Sequence, residues 1–155
     1  MGILVLALLL GVITGLRAMT GFAAVSWAAH LHLIDVSASP WLAWLGYSWT
    51  PWIGTLLAIA ELVSDQLPAT PSRKVPVQFG TRIVVGALVG AATGYTGHQF
   101  AVGALVGAVG AVIGTLGGAA ARSALASAFG NDRPAALIED LVAVGGAALI
   151  VCCGL

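Results

Sequence analysis

Charge is what this sequence has least of. Of its 155 residues, 8% are Asp, Glu, Lys or Arg, where a soluble domain carries roughly 25%. So few charges cannot build a water-facing surface, so the outer surface is expected to face lipid. Six basic and six acidic side chains cancel to a net charge of zero. That leaves no basic patch for a nucleic-acid footprint, and no nucleic-acid partner is expected. Cysteine is nearly absent. Cys152 and Cys153 are adjacent at the far end of the sequence, a pattern that fits neither a metal site nor a disulfide framework. They read as small apolar packing residues. A phosphate-binding loop, a haem motif and a serine in a nucleophile motif are also missing. His30, His32 and His98 fall away from most of the acids. His30 and His32 with Asp35 could bind a metal weakly but read better as a solvated loop. No enzyme activity, metal or cofactor is expected.

What is abundant is apolar. Hydrophobic residues make up 59% of the chain, and there are 21 glycines. A bilayer core needs about 20 apolar residues per helix. Five segments qualify, which predicts an all-α polytopic transmembrane bundle of about five spans in one domain, residues 1–155. The first span runs from about Gly2 to Leu33, longer than one crossing needs, with Arg17 in its middle. It lacks the basic start of a cleaved signal peptide and is expected to be retained. The second runs from about Trp49 to Leu67, the third from Val77 to Tyr95, and the fourth from Phe100 to Ala128. The fifth opens at Pro134. Pro40, Pro51, Pro68, Pro71 and Pro76 bracket the second span. Gly94, Gly97 and His98 mark a turn, and Asn131-Asp132-Arg133-Pro134 is a helix start with Asp132 as its cap.

Basic residues set the expected orientation. Loop 34–48 has none, loop 68–76 has Arg73 and Lys74, the turn at His98 has none, and loop 129–133 has Arg133, with Arg122 just before it. With five spans, the N-terminus and both basic loops are expected in the cytoplasm of a bacterial inner membrane, and the C-terminus outside. Trp41, Trp44, Tyr47, Trp49 and Trp52 then form an interfacial aromatic belt.

Small residues recur every four positions at Gly86, Gly90 and Gly94, at Gly103 and Gly107, and at Gly110, Gly114 and Gly118. Gly11 and Gly15 repeat the spacing in the first span. Such rows let helix backbones approach closely. They serve either intramolecular packing or a homodimer seam, and the sequence leaves both open. Internal similarity also has two readings. Gly15–Gly21 resembles Gly80–Gly86, and Gly11–Arg17 resembles Gly114–Arg122. The second match relates helices expected to run in opposite directions, as in an inverted repeat.

Charges inside a bilayer are costly, so each needs a reason. Glu61 and Asp65 share a face of the second helix. Glu139 and Asp140 lie in the second turn of the fifth. Arg82 begins the third helix and Arg122 lies near the end of the fourth. With Arg17 they gather four acids and three arginines, mostly in the cytoplasmic half. Arg17 is the deepest charge, and Glu61 is its expected partner. Gly11, Gly15 and Gly21 suggest a helix broken there, which would expose backbone groups to a cavity. The cluster is either a site for an ion or small polar solute in a transporter or channel, or a structural salt-bridge network in a non-transporting scaffold or assembly factor.

Four stretches carry a resemblance: Gly11–Gly21 (GVITGLRAMTG), Glu61–Arg73 (ELVSDQLPATPSR), Gly114–Arg122 (GTLGGAAAR) and Arg133–Ala143 (RPAALIEDLVA). The chain is similar in them to the domain of unknown function 4126 family of small bacterial membrane proteins. The resemblance implies a polytopic membrane fold and no assigned activity. The chain departs from that pattern at Gln66, where many relatives carry Lys.

Overall fold

Proline and glycine place most of the helix ends. The computed structural model describes residues 2–65 and 75–155. The helices are α1 (Ile3–Leu16), α2 (Ala18–His30), α3 (Thr50–Ser64), α4 (Pro76–Tyr95), α5 (Phe100–Phe129) and α6 (Asp132–Cys153), with a short 3-10 turn at Ala43–Gly46. Pro51 and Pro76 sit in the first turns of α3 and α4, where a missing N–H costs nothing. Gly130 ends α5 in the left-handed conformation, φ 65°, which glycine adopts without a Cβ penalty. Asn131, and not Asp132, caps α6, its side chain accepting the Arg133 N–H. Loop 68–74, with Arg73 and Lys74, lies outside the described residues, as does Gln66. No strand is present among the described residues.

Three helices, α4, α5 and α6, are long and apolar enough to cross a membrane, while α1 and α3 are apolar but shorter. At 1.5 Å per residue, α1 is about 21 Å long and α4 about 30 Å.

The expected first span is two helices. Arg17 separates them in an extended conformation, φ −141° and ψ 105°, and the chain turns back there. Helix α6 shows the reversal. Its Asp140 meets Arg17, its Gly146 lies against Ile13, and its Gly154 lies against Leu6. The same stretch, from Val144 to Cys152, faces α2 from Thr20 to Trp27 across a cavity. Helices α1 and α2 thus diverge from an apex at Arg17 and return to the same end of the bundle. The turn is tight. A Cβ on Gly21 would overlap the Thr14 hydroxyl and lie 3.0 Å from Thr14 Cβ.

Two expectations change with that reversal. The N-terminal residues and the end of α6 lie at one end of the bundle, whereas a single uninterrupted first span would have put them at opposite ends. Also, α1 and α5 run in the same direction: Gly11 lies on Gly107, and Gly15 on Ala111 and Gly114. The Gly11–Arg17 and Gly114–Arg122 segments are therefore not related by inversion, and α5 continues unbroken past Arg122.

Helices α1, α4 and α5 meet at glycine backbones. Gly90 lies on Gly103 and Gly107, and Gly94 on Gln99 and Gly103. Gly110 lies on Leu8 and Val12, Gly114 on Val12, and Gly86 on Ala111. Gly118 is buried on the same helix. These rows are occupied by contacts within the chain. A second core lies toward the end that holds the termini. There Ile34, Leu42 and Leu45 from the loop after α2 join Val25, Val89 and Val151. Trp41, Tyr47, Trp49 and Trp52 are exposed at this end, while Trp44 stacks on Phe22 with ring centroids 5.8 Å apart.

Gly107 touches both neighbours, because Gly11 of α1 and Gly90 of α4 press on it. A methyl there would stand 2.8 Å from Gly90 Cα, and backbone cannot move aside as a side chain can. Gly117, on the same helix, has nothing within 4 Å. Gly107→Ala should therefore abolish folding or lower the melting temperature in detergent by many degrees. Gly117→Ala should match the parent or gain up to ~1 kcal/mol from helix propensity. Equal melting temperatures for the two variants would show that α1 and α4 do not converge on Gly107.

Candidate functional site

A helix end leaves backbone groups without intrahelical partners. The break at Arg17 creates two such ends next to each other, away from the chain termini. Each is satisfied by a side chain of suitable charge. The Arg82 guanidinium donates to the carbonyls of Gly15 at 2.7 Å and Leu16 at 2.6 Å, at the C-terminal end of α1. Thr115 Oγ1, which donates to Ala111, also lies 3.1 Å from the Gly15 carbonyl. On the other side of the break, the Glu61 carboxylate accepts the N–H groups of Ala18 at 3.0 Å and Met19 at 2.8 Å. A cation at the C-terminus and an anion at the N-terminus both match the helix dipoles. Arg82 and Glu61 also meet each other at 3.3 Å.

The Arg17 side chain is fully buried. Its Nε donates to Asp140 at 2.8 Å, and its two terminal nitrogens reach Asp65 and Asp140. Glu139 stands 4.0 Å from the same guanidinium and 3.6 Å from Arg122. Arg122 binds Asp132 through two hydrogen bonds, 2.9 Å and 2.6 Å. The structure thus brings Arg17, Glu61, Asp65, Arg82, Arg122, Glu139 and Asp140 together at one end of the bundle. The pairing differs from the expected Arg17–Glu61 bridge. Arg17 is the apex of a turn and not the midpoint of a long span, so its side chain meets Asp65 and Asp140. Glu61 is taken by the backbone on the far side of the break and by Arg82.

Sequence reasoning missed Asp132 as the partner of Arg122, and the backbone groups as partners of Arg82 and Glu61. Only Asp132 left a sequence signal: it is ten residues from Arg122 across a glycine turn. The histidines stand apart from the cluster. His30 contacts the Gly46 carbonyl at 3.2 Å. Asp35 accepts the N–H and hydroxyl of Ser37, which holds its carboxyl below the usual carboxylate range. Among the described residues, no three His, Cys, Asp or Glu side chains are placed to hold a metal.

A helical bundle with three helices apolar enough to cross a membrane, and a charged cluster at a helix break, defines the class. The chain belongs to the family described as a domain of unknown function (DUF4126), whose model matches residues 4–153. No curated protein and no solved structure matches it.

Two variant sets test the cluster. Removing one partner of a buried ion pair strands the other, at a cost of about 3–5 kcal/mol. Arg17→Gln and Asp140→Asn should each lower the melting temperature strongly, while the double variant should lose less than the sum of the two. Strict additivity would mean that they do not interact. At Glu61, Gln retains an oxygen for the Ala18 and Met19 amides, whereas Leu does not. Glu61→Gln should therefore be the more stable of the two, by about 1 kcal/mol.

Proposed function

We propose that this chain is a small polytopic protein of the bacterial inner membrane whose intramembrane charges serve the fold, and that it acts as a non-transporting scaffold or assembly factor. One observation carries this reading: the charges at the break are engaged with each other and with helix-end backbone. Arg17, the residue most suited to an open polar site, is fully buried between two aspartates. The cavity beside α2 is almost wholly apolar, which gives an ion or polar solute no path to the cluster from that side.

A second reading is a transporter or channel for an ion or small polar solute, and one observation favours it. Discontinuous helices place opposed dipole ends at a charged cluster, the arrangement seen at the substrate sites of many transporters. The Glu61 and Asp140 side chains are each 15% exposed. Purified protein in proteoliposomes separates the two. The scaffold reading expects ion and small-metabolite fluxes equal to those of empty vesicles. A saturable flux lost in Glu61→Gln, with that variant still folded, would establish transport instead.

The positive-inside rule gives the orientation. The end of the bundle where α3 stops and α4 and α6 start is flanked in sequence by Arg73, Lys74 and Arg133, and it is assigned to the cytoplasm. Because the chain turns back at Arg17, both termini are then periplasmic. Cys152 and Cys153 are exposed and report the C-terminal side directly. Gly2→Cys, in a background with both native cysteines replaced by Ser, reports the other terminus. Both positions should react with an impermeant thiol reagent in cells with a permeabilised outer membrane. Labelling of the two from opposite faces would contradict the turn at Arg17.

A further inference from the structure

Helix α3 is held differently along its two halves. The first half packs on α2. A Cβ on Gly54 would lie 3.1 Å from Ala23 Cα and 3.2 Å from the Phe22 ring. Trp27 donates to Thr55 at 3.0 Å and meets Trp52 edge to face, ring centroids 5.2 Å apart. Thr50 donates to the Trp44 carbonyl at 2.6 Å. Beyond Ala58 that packing thins, and Ile59, Ala60, Val63 and Ser64 are exposed. Glu61 and Asp65 join this second half to the bundle, through the Ala18 and Met19 amides, Arg82 and Arg17.

A cavity of about 350 Å³ lies between α3 and α6, with Thr55, Ala58 and Leu62 on one side and Val144, Ala148 and Val151 on the other. The two helices are bridged at one end, where Arg17 reaches Asp65 of α3 and Asp140 of α6. Lipid tails are as apolar as the cavity walls, so in a bilayer no hydrophobic force draws those walls together. The position of the α3 end is then set by its polar contacts. These differ in what their loss leaves behind. Releasing Glu61 strands two helix-end amides. Releasing Asp65 leaves Arg17 with Asp140, which accepts from both its Nε and a terminal nitrogen. Asp65 is therefore the contact that opens first, and Glu61 the second.

We propose that α3 is a lateral door, hinged on α2 through residues 54–58 and latched by Asp65 and Glu61, which swings away from α6 and opens the charged cluster toward the bilayer. From Ala58 to Asp65 the lever is about 10 Å long. The door rests on the chain lying in a bilayer, which thiol labelling tests separately. It holds whether the charged cluster serves the fold or transport.

Paired spin labels on protein in lipid nanodiscs read the motion, with both native cysteines replaced by Ser. Val63→Cys with Leu141→Cys reports the latched end of α3 against α6, and Ile53→Cys with Leu149→Cys the hinged end. All four side chains are exposed. Asp65→Ala should stay folded, because Arg17 keeps Asp140. It should add a population whose latched-end distance is longer by about 5 Å, half the lever. Glu61→Ala combined with Asp65→Ala should convert most molecules to that population. The hinged-end distance should match the parent in both. An unchanged latched-end distance in Asp65→Ala would overturn the proposal, even where the double variant cannot be purified. So would equal lengthening of both distances, which would mean that the whole helix leaves α2. Failure of Asp65→Ala to fold would overturn it as well, since Asp65 would then hold the entire bundle and not a door.

Discussion

The fold depends on a helix break that is completed by two side chains. Interrupting a helix in an apolar bundle exposes N–H and C=O groups that lipid cannot satisfy. Here Arg82 closes the C-terminal end of α1 and Glu61 the N-terminal end of α2. Each carries the charge that the local helix dipole favours, and the two are joined to each other. The break therefore links three separate parts of the sequence: α1–α2, the end of α3 and the start of α4. The Arg17 side chain adds α6 through Asp140 and the end of α3 through Asp65. A residue in extended conformation becomes the point at which three other helices, α3, α4 and α6, are tied to α1 and α2.

Glycine contributes the other constraint. Close backbone approach along α1, α4 and α5 leaves almost no side-chain volume between those helices, so their relative register is set by backbone shape. Helices α2 and α3 are joined differently, by the Trp27–Thr55 and Glu61 hydrogen bonds and by side-chain packing. The bundle has one tightly packed side and one looser side. The apolar groove lies on the looser side, where α3 and α6 flank α2 without closing over it.

Helix positions were legible because periodic apolar runs and prolines mark them. The third and fourth expected spans match α4 and α5 to within one residue at each end. The break was legible too, since an arginine among glycines in the middle of an over-long apolar run is costly to keep in one straight crossing. The reversal was not. Nothing in Gly11–Gly21 distinguishes a kink that continues onward from a turn that folds back. That choice is made by contacts with α4 and α6, more than sixty residues away. The partners of Glu61 were hidden for a related reason. Charge pattern reports other charges, but Glu61 is bound largely by peptide N–H groups that every sequence carries.

Depth explains why the cluster holds together. Arg82 lies six residues into α4 and Asp140 eight residues into α6, about 9 Å and 12 Å from those helix starts. Helix α1, about 21 Å long, falls short of the roughly 30 Å hydrocarbon thickness by a similar distance. The short helices end where the charges begin. A break at mid-length of α4 would bury the arginines where snorkelling cannot relieve them, whereas a break at its end would give water the backbone groups and leave Arg82 and Glu61 nothing to bind. The observed level lies between these limits. There the helix ends are satisfied by paired charges, whose acids Asp65, Glu61 and Asp140 are only 13–15% exposed. On that balance, the length of α1 and the choice of charged residues at positions 17, 61 and 82 are one constraint.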